Sequence, residues 1–325
     1  ACLPIEPKRA HEIVNVLAIC ATAWILSEWL AGLGYSPHLS VPVVILGFVW
    51  SMFGGVYFLW ARFATEPVTY LLLAAGVYLV HFGAFWQVAV VVVLGMFSRE
   101  QARLLVPYYF LVRRSSLNSR RCTVETALLG TAALAAFVLV RLVTPVTGHY
   151  AYNQEILDNL TLKFGTLRGL ATHAVALLTH AGLVSVALVM AAGTTLAVLR
   201  RNIPIAFWLL GSIALAVIGG AETDRIAFVA FPAVLFLFCS LVDRIRFDWT
   251  LDWMPVLLVF VLGHVVMSGT FADGAFHWPR YSPLWCGVSA AIWGMALWLC
   301  SRRPLRLVEQ RPAADGGESR VRISR

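Results

Sequence analysis

Apolar runs of about 20 residues recur along this chain, and most end in a short cluster of arginines. That alternation constrains the fold more than any single motif does. A helix of about 20 apolar residues crosses the hydrocarbon of a bilayer with its backbone N–H and C=O groups paired internally, which an open strand cannot do. Hydrophobic residues make up 60% of the 325 and charged residues 13%, with a mean hydropathy of +0.78. Soluble domains carry about a quarter charged residues. The expected fold is therefore all-α, a polytopic transmembrane helix bundle of about ten spans.

The formal charge of +8 could suggest a nucleic-acid partner. The arginines lie between apolar runs, however, as they do in cytoplasmic loops, so membrane lipid and not nucleic acid is the expected surrounding. Cys2, Cys20, Cys122, Cys239, Cys286 and Cys300 form no CxxC or other metal-ligand spacing. Neither a disulfide framework nor a zinc site is expected. The first apolar run lacks a small-residue cleavage pattern, and no signal peptide is expected in the chain from Ala1.

Length and punctuation place spans at Ile13 to Leu33, Val41 to Trp60, Val68 to Phe82, Phe85 to Val112 and Val124 to Val143. Further spans follow at Gly169 to Leu199, Pro204 to Gly220, Ile226 to Val242, Pro255 to Ser268 and Pro283 to Cys300. Residues 1–306 then form the transmembrane domain, and 307–325 a polar, Gly-containing, disordered cytoplasmic tail. Both termini, Arg113 to Arg121 and Arg244 to Arg246 are expected in the cytoplasm, because Lys and Arg accumulate there. The opposite face receives Tyr35 to Ser40, Thr144 to Arg168, Glu222 to Arg225 and Thr270 to Ser282.

Charges inside or between spans are costly without a partner or a polar cavity, which makes them candidate site residues. Glu222, Asp224 and Arg225 follow Gly219-Gly220, and a solvated tight turn is the plain alternative. Arg99, Glu100 and Arg103 interrupt the fourth stretch; helical spacing would put Arg99 and Arg103 on one face and let Glu100 pair with Arg103 or a neighbouring helix. Arg99 and Glu100 are expected to be buried, facing a polar cavity, and the motif marks either a helix interior or a break toward the outer face. The 152–164 segment has the mixed three- and four-residue apolar spacing of a helix lying in the interface. His277 and Arg280 meet aromatics and Asp273 in the last outer loop, where interface anchoring is an equal reading. His173 and His180 share a helical face without a third ligand, so no metal site is expected.

Three of these features together resemble the multispanning GT-C glycosyltransferases. They are Glu66-Pro67 opening a span, Ser98-Arg99-Glu100 ahead of an apolar stretch with Pro107, and Glu222-Thr223-Asp224-Arg225 ahead of a span containing Pro232. The resemblance covers roughly Trp60 to Val242. It implies a GT-C-like bundle in the inner (plasma) membrane of a bacterium, using a polyprenyl-phosphate-linked sugar at the extracytoplasmic face. Glu222 and Asp224 are then the candidate catalytic carboxylates, and Arg225, Arg99, Glu100, Arg280 and His277 candidate substrate-binding residues. Inverting transfer needs a carboxylate to deprotonate the acceptor hydroxyl and a cation to hold the departing phosphate. Glu28, Glu155, Asp158 and Asp273 are further outer carboxylates, and Lys163 a further cation for phosphate.

The family carries its catalytic acid in a loop after the first span, and here Tyr35 to Ser40 holds no carboxylate. Either an acid-bearing segment lies upstream of Ala1, or the chain is a divergent relative. The competing class is non-catalytic: a transporter or flippase with Arg99, Glu100 and Glu222 along a polar path, or a scaffold among other membrane subunits.

Overall fold

The computed structural model describes residues 7–49, 66–143, 157–158, 160–161, 163–167, 169–170, 184, 188, 191–218 and 226–244. Among them every regular element is helical. In chain order these are α1 (Pro7–Gly32), α2 (Pro37–Val44), α3 (Glu66–Phe82), α4 (Phe85–Ser98), α5 (Leu105–Arg113), α6 (Ser119–Val143), α7 (Ala192–Arg201), α8 (Ile203–Ile218) and α9 (Phe231–Arg244). A π turn, Ile45–Val49, extends α2, and 3₁₀ turns at Glu100–Leu104 and Phe228–Ala230 precede α5 and α9.

Two helices, α1 over Arg9–Gly32 and α6, are long and apolar enough to cross a membrane. A third candidate is α7 with α8, which pass the same test together although bent by 115°. The spans expected at Pro255 to Ser268 and Pro283 to Cys300, and the 307–325 tail, lie outside the described residues.

Local chemistry sets the boundaries. Gly34 has φ 98°, and with it Tyr35 N–H bonds to Leu30 O at 3.2 Å and Gly34 N–H to Ala31 O at 2.9 Å. This pairing closes a helix C-terminus with a left-handed residue, a conformation glycine adopts without a Cβ clash. Pro37 occupies the first turn of α2, where its missing N–H costs nothing. The α3–α4 turn at Gly83-Ala84 is held by the Gln87 side chain accepting the Ala84 N–H at 2.8 Å.

The fourth apolar stretch is not one span. Arg99 is extended, with φ −157° and ψ 142°, and α4 stops there. The 3₁₀ turn and α5 then run back alongside α4. Gly95 allows Ala102 to approach it closely, the Phe85 and Tyr109 rings lie 6.2 Å apart, and Arg113 Nη2 donates to Gly83 O at 2.5 Å. The end of α5 thus returns to the beginning of α4. The extended Arg99 is where the helix breaks and the chain reverses.

This hairpin separates two ends of the bundle. At one end, Trp29 of α1 packs on His81 of α3 at 6.0 Å, Tyr35 Oη meets Ser240 Oγ of α9 at 2.5 Å, and Cys122 of α6 donates to Phe110 O at 3.8 Å. Arg113, Arg114, Arg120 and Arg121 collect here. So do Arg200 and Arg201, because α8 runs antiparallel to α5, with Trp208 on Tyr108 at 5.1 Å and Gly211 beside Leu104. We call this the basic end. The opposite end holds the start of α3, the hairpin tip, the last turn of α6 and the last turn of α8. Between them Phe48 packs on Phe228 at 5.9 Å and Phe231 at 5.1 Å, joining the π turn to α9. Buried His81 and Tyr108 satisfy one another at 2.9 Å.

Two expectations change. The 26 residues of α1 rise about 39 Å, so its Lys8-Arg9 start lies at the end away from Arg113–Arg121, not on the same side. The 35–40 segment sits at the basic end, not opposite it. The hairpin is the cause, since a stretch expected to run once between the ends of the bundle runs there and back. Topology reporters fused ahead of Pro7 and at Ser116 are expected to report opposite faces, and reporters at Ser116 and just after Arg244 the same face. Agreement between the first two would return the 85–113 segment to a single crossing.

Candidate functional site

The hairpin tip assembles charges from three helices. Glu66 opens α3 in a buried position, its side chain 7% exposed, and takes Arg99 Nη2 at 2.5 Å. Beside this ion pair the Thr69 and Ser98 hydroxyls meet at 2.7 Å, tying the first turn of α3 to the end of α4 a second time. Glu100 faces Arg141 of α6 at 3.9 Å, a looser pairing, and Arg141 also lies over the Phe137 ring at 5.2 Å. Arg103 is exposed in the following 3₁₀ turn. Gln101 Oε1 is buried, with no hydrogen-bond partner among the described residues.

The pairs differ in kind. Glu66 to Arg99 is short, with Glu66 shielded and Arg99 in partial contact with solvent, so the attraction is only partly screened. Glu100 to Arg141 is over a third exposed on both sides and contributes little to stability, leaving both groups able to exchange partners. Arg99 is itself 36% exposed.

Lys163 approaches the same end from the long loop. Its side chain is buried, and Nζ donates to Ala216 O at 2.7 Å and Val217 O at 3.1 Å, two of the last carbonyls of α8. A cation there satisfies acceptors that a helix leaves open and complements its negative end. Burial pulls the Lys163 amine down to about 8.

The sequence-derived candidates fall into three groups. Arg99 and Glu100 stand together at the tip, but the break at Arg99 prevents the helical face shared with Arg103, and both are half-exposed rather than buried. Glu100 pairs with the neighbouring helix α6. Lys163, a candidate phosphate cation from the sequence, donates to two carbonyls here, and Glu28 lies exposed near the end of α1, at the basic end. Glu222, Asp224, Arg225, His277 and Arg280 lie outside the described residues, as do His173 and His180. Ile218, the last described residue before Glu222, is at the tip end. In the 152–164 segment, residues 157–158, 160–161 and 163–164 are helical, with Leu157 and Phe164 exposed.

Sequence reasoning passed over Glu66 as an ionic partner and over Arg141 entirely. A signal was present in both: a carboxylate in the first turn of an apolar helix, and an arginine in the last turn of one. Among the described residues no group of three or more His, Cys, Asp or Glu is placed to hold a metal ion.

Comparison of the chain with protein-family models, with curated proteins and with solved structures finds no match. The class defined by the structure itself is an all-helical protein with helices long and apolar enough to cross a membrane.

Proposed function

We propose that the chain is a multi-pass membrane protein related in architecture to the GT-C glycosyltransferases, transferring a sugar from a polyprenyl-phosphate donor at the extracytoplasmic face. The observation that carries this reading is the Glu66 to Arg99 ion pair, which joins two of the three motifs behind the resemblance at one end of the bundle. The third motif, Glu222 to Arg225, lies outside the described residues; Ile218, the last described residue before it, ends α8 at that same end.

The basic end faces the cytoplasm in this reading, because arginine-rich loops are retained there. The tip then faces outward, where lipid-linked sugars are used. The start of α1 faces outward with it, and the fourth of the ten sequence-derived spans is re-entrant. Arg103, exposed in the 3₁₀ turn beside Arg99 and Arg141, has the planar fork that suits the donor phosphate. Glu222 or Asp224 supplies the base for the acceptor hydroxyl, with Arg225 beside the phosphate. The 157–164 segment, fastened through Lys163, borders the lipid-facing entrance.

The test is sugar transfer by purified protein in liposomes containing polyprenyl-phosphate sugars. Arg99→Lys and Glu222→Gln are each expected to reduce turnover at least about 100-fold, the scale on which a lost general base or charge-matched donor acts. Full transfer by both variants would remove the tip from the chemistry. Absence of transfer, with donor still binding to wild type but not to Arg99→Lys, would leave a lipid-phosphate carrier as the reading.

A further inference from the structure

We propose a second site at the basic end: the shallow groove at the start of α6 takes the phosphate headgroup of an anionic phospholipid, whose acyl chain lies along the exposed apolar face of the same helix. The groove has a volume of about 520 Å³ and is lined by Asn118, Arg120, Arg121, Val124 and Glu125. Arg120 is exposed and, among the described residues, engages no carboxylate. Arg121 is 68% exposed and uses Nε on Glu125 at 2.8 Å, so its terminal nitrogens stay available.

Glu125 does not repel an anion here. It already accepts from Arg121 and from the Tyr109 hydroxyl. Two adjacent guanidinium groups with one neutralised carboxylate form a cationic recess, and arginine's planar fork matches phosphate oxygens.

The apolar half of the ligand is written on the helix above. Val124, Leu128 and Val138 are 51%, 55% and 46% exposed and, at steps of three and four residues with Thr131 and Ala135, share the face that carries Arg120 and Arg121. Head and tail of one amphiphile are therefore served by a single helix face. A free phosphate would use only the groove; a phospholipid uses both parts. The inference rests on the chain lying in a membrane and not on the transferase reading.

The experiment measures lipid retained by protein purified in neutral detergent, by native mass spectrometry, after exposure to phosphatidylglycerol or phosphatidylcholine. Wild type is expected to retain phosphatidylglycerol in preference, and Arg120→Gln with Arg121→Gln to lower retention about tenfold. Arg200→Gln with Arg201→Gln removes the same charge from the same end outside the groove and is expected to leave retention unchanged. Millimolar inorganic phosphate is expected not to displace the lipid. Equal loss in both double variants, equal retention of the two lipids, or displacement by inorganic phosphate would each overturn the groove. Should the Arg120, Arg121 variant fail to fold, Arg120→Gln alone, at an exposed position, carries the same comparison. A chain that stayed in solution without detergent would instead remove the membrane reading.

Discussion

Replacing Arg99 by Met should destabilise the purified chain by about 2–3 kcal/mol, and adding Glu66→Leu should recover most of the loss. Breaking a buried ion pair by removing one partner costs about 3–5 kcal/mol, because the remaining charge is left in a poor solvent. The lower figure follows from Arg99 being 36% exposed, so that water screens part of the interaction. Glu66, at 7%, is the member that suffers when its arginine goes. Removing both charges leaves apolar side chains where the hydroxyl pair of Thr69 and Ser98 still joins the two helices. Thermal unfolding of wild type, both single variants and the double variant gives the coupling energy directly. Strictly additive losses would mean that the two residues act independently. The recovered double variant should still be inactive in sugar transfer, which separates holding the tip together from binding substrate.

The second large effect concerns the hairpin's inner surface. A Cβ added at Gly95 would lie 2.6 Å from Ala102 Cβ, an atom fixed to the backbone and unable to swing aside. One added at Gly76 would meet Leu105 Cδ1 at 2.4 Å, the far end of a side chain that can change rotamer. Gly95→Ala should therefore cost about 2 kcal/mol net: overpacking of about 3 kcal/mol less about 1 kcal/mol of gained helix propensity. Gly76→Ala should be near neutral, because a rotamer adjustment of about 1 kcal/mol is offset by the same propensity gain. Unfolding midpoints of the two variants decide the matter; a larger loss at Gly76 would contradict the tight apposition of the hairpin arms.

Several helices were legible from hydropathy and punctuation. The runs expected at Val68 to Phe82, Pro204 to Gly220 and Ile226 to Val242 correspond to α3, α8 and the 3₁₀ turn with α9, within a few residues at each end. The apolar stretch from Val124 extends as α6 back to Ser119, because the polar residues before it cap a helix as readily as they form a loop. What hydropathy could not carry was direction. A sum over Phe85 to Val112 is the same whether the chain proceeds or doubles back, and the deciding contacts, Gly95 with Ala102 and Arg113 with Gly83 O, are tertiary. Arg99 was legible as a costly charge, yet its partner lies 33 residues earlier. Spacing rules for helices reach only three or four residues.

The doubled-back arm also has a consequence for how the protein is made. Arg99 meets Glu66, which is already synthesised when the tip emerges, but Glu100 finds Arg141 only after a further 41 residues have been translated. Until α6 is in place, half of the tip's charge has no counterpart in the nascent chain. That pairing is the weak one, however: the Glu66 to Arg99 ion pair and the Gly95 to Ala102 and Arg113 to Gly83 O contacts need no residue beyond Arg113, so the arm can double back before α6 is made, and only Glu100 waits for its partner.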